Sequence, residues 1–141
     1  MLAATLAQVC ADLQAEEASF WCVSEDGARM ELTVNYGGDA QLLESLSVPV
    51  NESVVGLVQA TRMATAIGPE DDYNPSVDAV TGGHTRAMVA APVLGSEGVL
   101  GVVSAINPRT GDRFSGLHLT RLGQAASHLA QGIQQAGTHG R

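Results

Sequence analysis

Two nearly continuous apolar runs govern what this chain can fold into. Arg86-Ala87-Met88-Val89-Ala90-Ala91-Pro92-Val93-Leu94 and Val99-Leu100-Gly101-Val102-Val103-Ser104-Ala105-Ile106 are separated only by Gly95-Ser96-Glu97-Gly98. Each is far shorter than the roughly 18 residues of a membrane span. Lacking a polar face, they suit strands covered on both sides, and the short polar connection makes them an antiparallel pair at the centre of a sheet. The rest of the 141 residues must cover that pair. This length fits one domain, 1–141, and a hydrophobic content of 45% supplies a core without metals or disulfides.

The flanking segments supply the cover. Leu2, Leu6, Val9, Cys10 and Leu13 recur at helical spacing, which predicts an amphipathic helix over residues 2–15. Ser19 to Val23 reads as a strand, Asp26-Gly27 as a turn, and Arg29 to Tyr36 as a second strand. That strand has Met30, Leu32, Val34 and Tyr36 on one face. A short helix capped by Asp39 is expected over 39–45. An extended Val48-Pro49-Val50 follows, then a helix capped by Asn51 with a Val54, Val55, Val58 stripe, and a strand over Met63–Ile67. Residues 68–85 carry Pro69, Pro75, Gly82, Gly83 and four acids, the composition of a long binding loop or lid. A last helix opens at Phe114-Ser115, keeps its apolar spacing through Leu122, Ala126, Leu129 and Ile133, and ends near Gly137, leaving 137–141 as a frayed tail. The order of elements is α+β: one antiparallel sheet with the two terminal helices on one face.

Charge narrows the partners. Fifteen acidic residues oppose seven arginines and no lysine, a net charge of −8, which disfavours nucleic acid and anionic membranes as partners. The N-terminal stretch has no positive n-region and is broken by Asp12, Glu16 and Glu17, so it does not read as a signal peptide. Two cysteines, Cys10 and Cys22, match neither a disulfide framework nor zinc spacing, which points to a reducing cytoplasm.

Several short motifs, in order, resemble the GAF domain: Val54-Val55-Gly56-Leu57-Val58, the strand Arg86 to Val93, the strand Gly98 to Val103, Asn107, and Phe114-Ser115 ahead of an apolar helix. The resemblance spans nearly the whole chain and is best from Arg86 to Ile133. It implies a PAS/profilin-like fold of about six antiparallel strands, with N- and C-terminal helices on one face and a ligand pocket under loops and short helices on the other. It also implies a non-enzymatic sensor role in signal transduction, homodimerisation, and an output domain in a longer chain. The cyclic-nucleotide branch of the family has an Asn-Lys, Phe, Asp-Glu signature. Asn107 and Phe114 match it, but Pro108 holds the Lys position and His118-Leu119 replace the acidic pair, which speaks against a cyclic nucleotide. Arg62 stands where a glycine is usual. A GAF-type methionine sulfoxide reductase, or a bilin attached through this loop, would need a cysteine between Gly68 and Arg86, and there is none.

Candidate ligand-binding residues are Trp21, Tyr36, Tyr73, His84 and Arg86. Trp21 shares a strand face with Ser19 and Val23, opposite Phe20 and Cys22, and stacks on a flat ligand or fills the core. Tyr36 lines the pocket mouth or plugs it. His84 donates to a ligand, binds haem, or is simply solvated. Arg86 forks onto a carboxylate or phosphate, or pairs with the acidic loop. No catalytic or metal-binding set is visible, the cofactor is unknown, and the rival to a sensor is a dimerisation module without ligand.

Overall fold

In a computed structural model, the described residues are 2–38, 46–68 and 85–139, with side chains described to residue 135. The expected helix over 39–45, most of the 68–85 loop with Tyr73 and His84, and the last two residues of the tail lie outside them.

Six strands form one antiparallel sheet: β1 (Ala15–Val23), β2 (Arg29–Tyr36), β3 (Ser47–Pro49), β4 (Thr65–Ile67), β5 (Met88–Gly95) and β6 (Gly98–Pro108), in spatial order β3-β2-β1-β6-β5-β4. The two apolar runs are the adjacent strands β5 and β6, closed by a tight turn that pairs Gly95 with Gly98. Helices α1 (Leu2–Leu13) and α3 (Gly116–His139) cover one face, and α2 (Val54–Thr61) lies over the other. The helix-side core joins Leu6, Val9, Leu13, Phe20, Val89, Val103, Leu122 and Leu129, all but fully buried. At roughly 1.5–3 kcal/mol for each large side chain, this layer is the main stabilising unit of the chain. Arg121 of α3 also donates to the Asp12 carbonyl at the end of α1, at 3.1 Å, tying the terminal helices together.

Three local details differ from expectation. Ser53, not Asn51, caps α2, its hydroxyl accepting from the Gly56 amide at 3.1 Å, while Asn51 sits in a 3₁₀ turn over Val50–Glu52. The last helix runs to His139, two residues beyond Gly137. It starts as a capping box: the Ser115 hydroxyl accepts from the His118 amide at 3.3 Å, and the Ser115 amide donates to His118 Nδ1 at 3.1 Å. The histidine that replaces an acid of the cyclic-nucleotide signature therefore closes the helix end.

The third difference decides which residues share a face. Phe20 pairs with Val34 but Trp21 pairs with Leu32, so Thr33 is an extra residue bulged out of β2. Met30 and Leu32 consequently join Trp21 on the α2 side, whereas Val34 joins the helix-side core. The strict alternation of β2 does not keep one face.

Two close approaches explain two of the glycines. A Cβ on Gly56 would run into the Val50 carbonyl where α2 crosses the 3₁₀ turn, and one on Gly101 would lie 2.5 Å from Phe20 Cζ and 2.7 Å from the Trp21 carbonyl. Arg62 ends α2 at φ +61°, the left-handed conformation that glycine adopts without penalty. Gly56→Ala should therefore lower stability by about 1–3 kcal/mol through forced repacking. Arg62→Gly should raise it by about 1 kcal/mol. Denaturant melts of the two variants check both signs, and a neutral Gly56→Ala would contradict the packing described.

Candidate functional site

The two faces of the sheet differ in chemistry. The helix side is apolar throughout its buried cluster. The opposite side holds Trp21, Met30, Leu46, Val48, Val55, Val58, Ala90 and Val102, with polar side chains set among them. Directly opposed residues in antiparallel strands project to the same face. Asn35, Ser19, Ser104, Ala90 and Thr65 oppose one another in turn across β2, β1, β6, β5 and β4. This row of short side chains runs between two rows of larger ones: Leu32, Trp21, Val102 and Pro92 on one flank, Glu17, Ile106, Met88 and Ile67 on the other. In relief this row is a trough between two ridges of side chains, and the fold buries its small, polar floor: Ser104, Ala90 and Ser19 are 2%, 0% and 8% exposed.

Hydrogen bonds hold that floor in place. Trp21 Nε1 donates to Ser104 Oγ at 3.0 Å, and Asn35 Nδ2 donates to Ser19 Oγ at 2.8 Å and to Glu17 Oε1 at 3.3 Å. Ser19 and Ser104 are buried to 8% and 2% exposure, so these bonds form away from bulk water and count for more than surface ones. On α2, Gln59 lies one turn after Val55, and its buried Oε1 has no hydrogen-bond partner among the described residues.

Of the five residues proposed from sequence, Trp21 lies on this face, opposite Phe20 and Cys22 as its strand parity implies. Tyr36 does not. The bulge at Thr33 pairs it with Ala18 of the helix-side core, where it is 46% exposed, and delivers Asn35 to the trough in its place. Arg86 forms an ion pair with Glu16 of β1, at 3.2 Å, and also donates to the Pro108 carbonyl at 3.1 Å. Asn107, at φ +58°, accepts from the Arg86 amide at 2.6 Å beside that pair. The Arg86 guanidinium thus braces one end of the sheet. Tyr73 and His84 lie outside the described residues. Sequence reading passed over Ser104, Asn35 and Gln59. Ser104 carried a signal, as the one hydroxyl inside an otherwise apolar strand, whereas Asn35 could be found only through the bulge.

Neither cysteine is placed for thiol chemistry. Both are free; Cys10 is buried in the α1 stripe, and its burial pushes the thiol up from its ordinary value, with Arg109 opposing and Glu17 adding more weakly. Cys22 Sγ donates to the Leu100 carbonyl at 3.8 Å. Among the described residues, no group of three His, Cys, Asp or Glu side chains is arranged to hold a metal.

Two outcomes follow from this geometry. Ser104→Ala strips the buried Trp21 N–H of its acceptor and should cost about 1–3 kcal/mol, with a change in the emission of the sole tryptophan. A raised thiol means less thiolate at pH 8, so Cys10 should be alkylated about tenfold or more slowly in the folded chain than in the denatured one. Peptide mapping after iodoacetamide treatment measures this, and equal rates would contradict the burial.

The fold agrees with comparisons to known proteins. The family model for the GAF domain matches residues 1–133. Among solved structures, the GAF domain of an Acinetobacter phosphoenolpyruvate-protein phosphotransferase is similar at TM-score 0.75 and 20% identity, covering 99% of this chain and 83% of that one. The second GAF domain of DevS from Mycobacterium smegmatis is similar at TM-score 0.79 and 15% identity, covering 97% and 93%. A methyl-accepting chemotaxis protein fragment is similar at TM-score 0.77 and 13% identity, covering 95% and 87%. No curated protein sequence matches this chain. With a six-stranded antiparallel sheet, terminal helices on one face and a family match over nearly its whole length, the chain belongs to the GAF domain family.

Proposed function

We propose that this chain is a non-enzymatic sensor domain of signal transduction. It receives a small organic molecule on the sheet face opposite the terminal helices and passes the occupancy of that site to α1 and α3. The observation that carries this reading is the contrast between the two faces: one is sealed by apolar packing, the other has a polar, hydrogen-bonded floor beside Trp21. The similar domains include those of a two-component sensor histidine kinase protein, a methyl-accepting chemotaxis protein and a cyanobacteriochrome photoreceptor, which supports a sensory role in a longer chain with an output domain.

The route to the helices is short. Trp21 belongs to the trough and its neighbour Phe20 to the helix-side core, so displacement of one is felt by the other through a single peptide unit. A ligand changes the helices only to the extent that it binds one arrangement of that unit more tightly than another. Tyr73 and His84 remain proposed contacts from the 68–85 segment. The free thiols of Cys10 and Cys22 suit a cytoplasmic setting, and among the described residues no helix is long and apolar enough to cross a membrane.

A second reading, a homodimerisation module, draws on the outer groove between α1 and α3, where Ala4 and Ala125 leave room between Gln8, Gln124 and His128. The two readings are compatible, and the same measurement separates them. Native mass spectrometry of the purified protein should show a small molecule that leaves on denaturation, together with a dimer mass. A ligand-free dimer mass, joined to unchanged melting across a metabolite library, would overturn the sensor reading and leave the dimer; a ligand-free monomer mass would overturn both.

A further inference from the structure

The capping box of α3 is closed by a residue that can change charge near neutral pH. In such a box the third helical residue offers an acceptor to the amide of the cap, a task usually given to Glu or Gln. Here His118 performs it: the Ser115 amide donates to His118 Nδ1 at 3.1 Å, and the Ser115 hydroxyl accepts from the His118 amide at 3.3 Å. A backbone N–H can only donate, so Nδ1 carries no proton and the imidazole in this structure is neutral. Phe114 meets the same ring edge-on, with centroids 5.7 Å apart, and packs with Leu119 in the helix-side core. The polar box and the apolar staple of the helix start therefore share one side chain.

Protonation works against this arrangement in two ways. An imidazolium carries N–H on both nitrogens, so Nδ1 would face the Ser115 amide donor to donor. It would also set a positive charge in the first turn of α3, where the helix dipole favours a negative one. Gln never titrates, and Glu stays an anionic acceptor to far lower pH. The box is thus favourable while the ring is neutral and is lost as pH falls through the range in which imidazoles take up a proton.

The surroundings do not offset the change. The elements packed on α3 are α1, β5 and β6. Neither strand carries a charged residue. The charge on α1 is Asp12, whose carboxylate accepts from Gln8 at 2.8 Å. Within α3, Arg121 stands three residues on from His118, a like charge for an imidazolium at helical spacing, while His128 and His139 are ten residues or more further on. The loop ahead of the helix holds Arg109, Asp112 and Arg113, the last two paired at 3.4 Å. Among the described residues, no carboxylate bonds to the imidazole.

We infer that His118 makes the start of α3 a proton-sensitive latch, closed while the imidazole is neutral and opened by its protonation, with the Phe114 and Leu119 staple loosened in the open form. Arg121, one turn on, bonds α3 to the end of α1, so acidification acts on the pair of terminal helices. The latch stands whether or not the other face of the sheet takes a ligand.

The test compares the parent chain with His118→Gln, which keeps an acceptor that does not titrate, and His118→Ala, which has none. Solvent exchange at the amides of Ser115, His118 and Leu119 is followed by NMR from about pH 8 to about pH 5. Each rate is expressed as protection relative to an unstructured chain at the same pH, and a thermal melt of each variant confirms folding. Near pH 8 the parent should match His118→Gln. Near pH 5 its protection should fall about tenfold, the loss of one capping interaction, to the level that His118→Ala shows throughout. Protection in the parent that does not change with pH would overturn the latch. Equal losses in the parent and His118→Gln would assign the acid response to another group and overturn it too. If His118→Ala does not fold, the parent against His118→Gln decides alone.

Discussion

The close pairing of β1 with β6 is the constraint on which the rest depends. At Gly101 the two strands approach so nearly that any side chain there would meet Phe20 Cζ at 2.5 Å. That bare position lets Phe20 lie flat against the sheet under α1 and α3, and the two-residue period of a strand then sends Trp21 to the other side. One strand thereby takes part in two cores. The helix-side core supplies stability, and the opposite one is free to carry chemistry that a purely apolar interior would not tolerate.

That chemistry is modest and specific. Serines, an asparagine and an alanine stand in register as a row of short side chains, flanked by Trp21 and Leu32. Buried polar groups in such a place are destabilising unless bonded. Here each serine oxygen has its donor, Ser104 the Trp21 indole and Ser19 the Asn35 amide. Arg86 is held at the end of the sheet by Glu16.

Most of the architecture was legible in the sequence, because it rests on periodicity. The central hairpin of β5 and β6, the first helix and the long last helix follow from apolar spacing alone, and strand parity was enough to part Trp21 from Phe20. What periodicity does not contain was missed. A bulge adds one residue without altering the pattern of residue types, so nothing around Thr33 announced that Tyr36 and Asn35 exchange faces. Register is a relation between strands distant in the chain, so the alignment of Ser19 with Ser104 was equally invisible. Capping was misread for a simpler reason: Asn51 and Ser53 are both good caps, and the 3₁₀ turn at Val50 decided between them. For Arg86 the sequence offers a ligand anion or the acidic loop as partner, and Glu16, which stands next to it across the sheet end, is visible only in the register.

The central claim is that small molecules enter on the Trp21 side of the sheet. Its most direct test follows the indole N–H resonance of this lone tryptophan in a ¹H–¹⁵N spectrum while low-molecular-weight cell extract is titrated in. The indole peak and the amides of Ser19 and Ser104 should shift together and saturably. Shifts gathered instead on Ala4, Gln8 and His128 of the outer helices, with the indole peak unmoved, would contradict it.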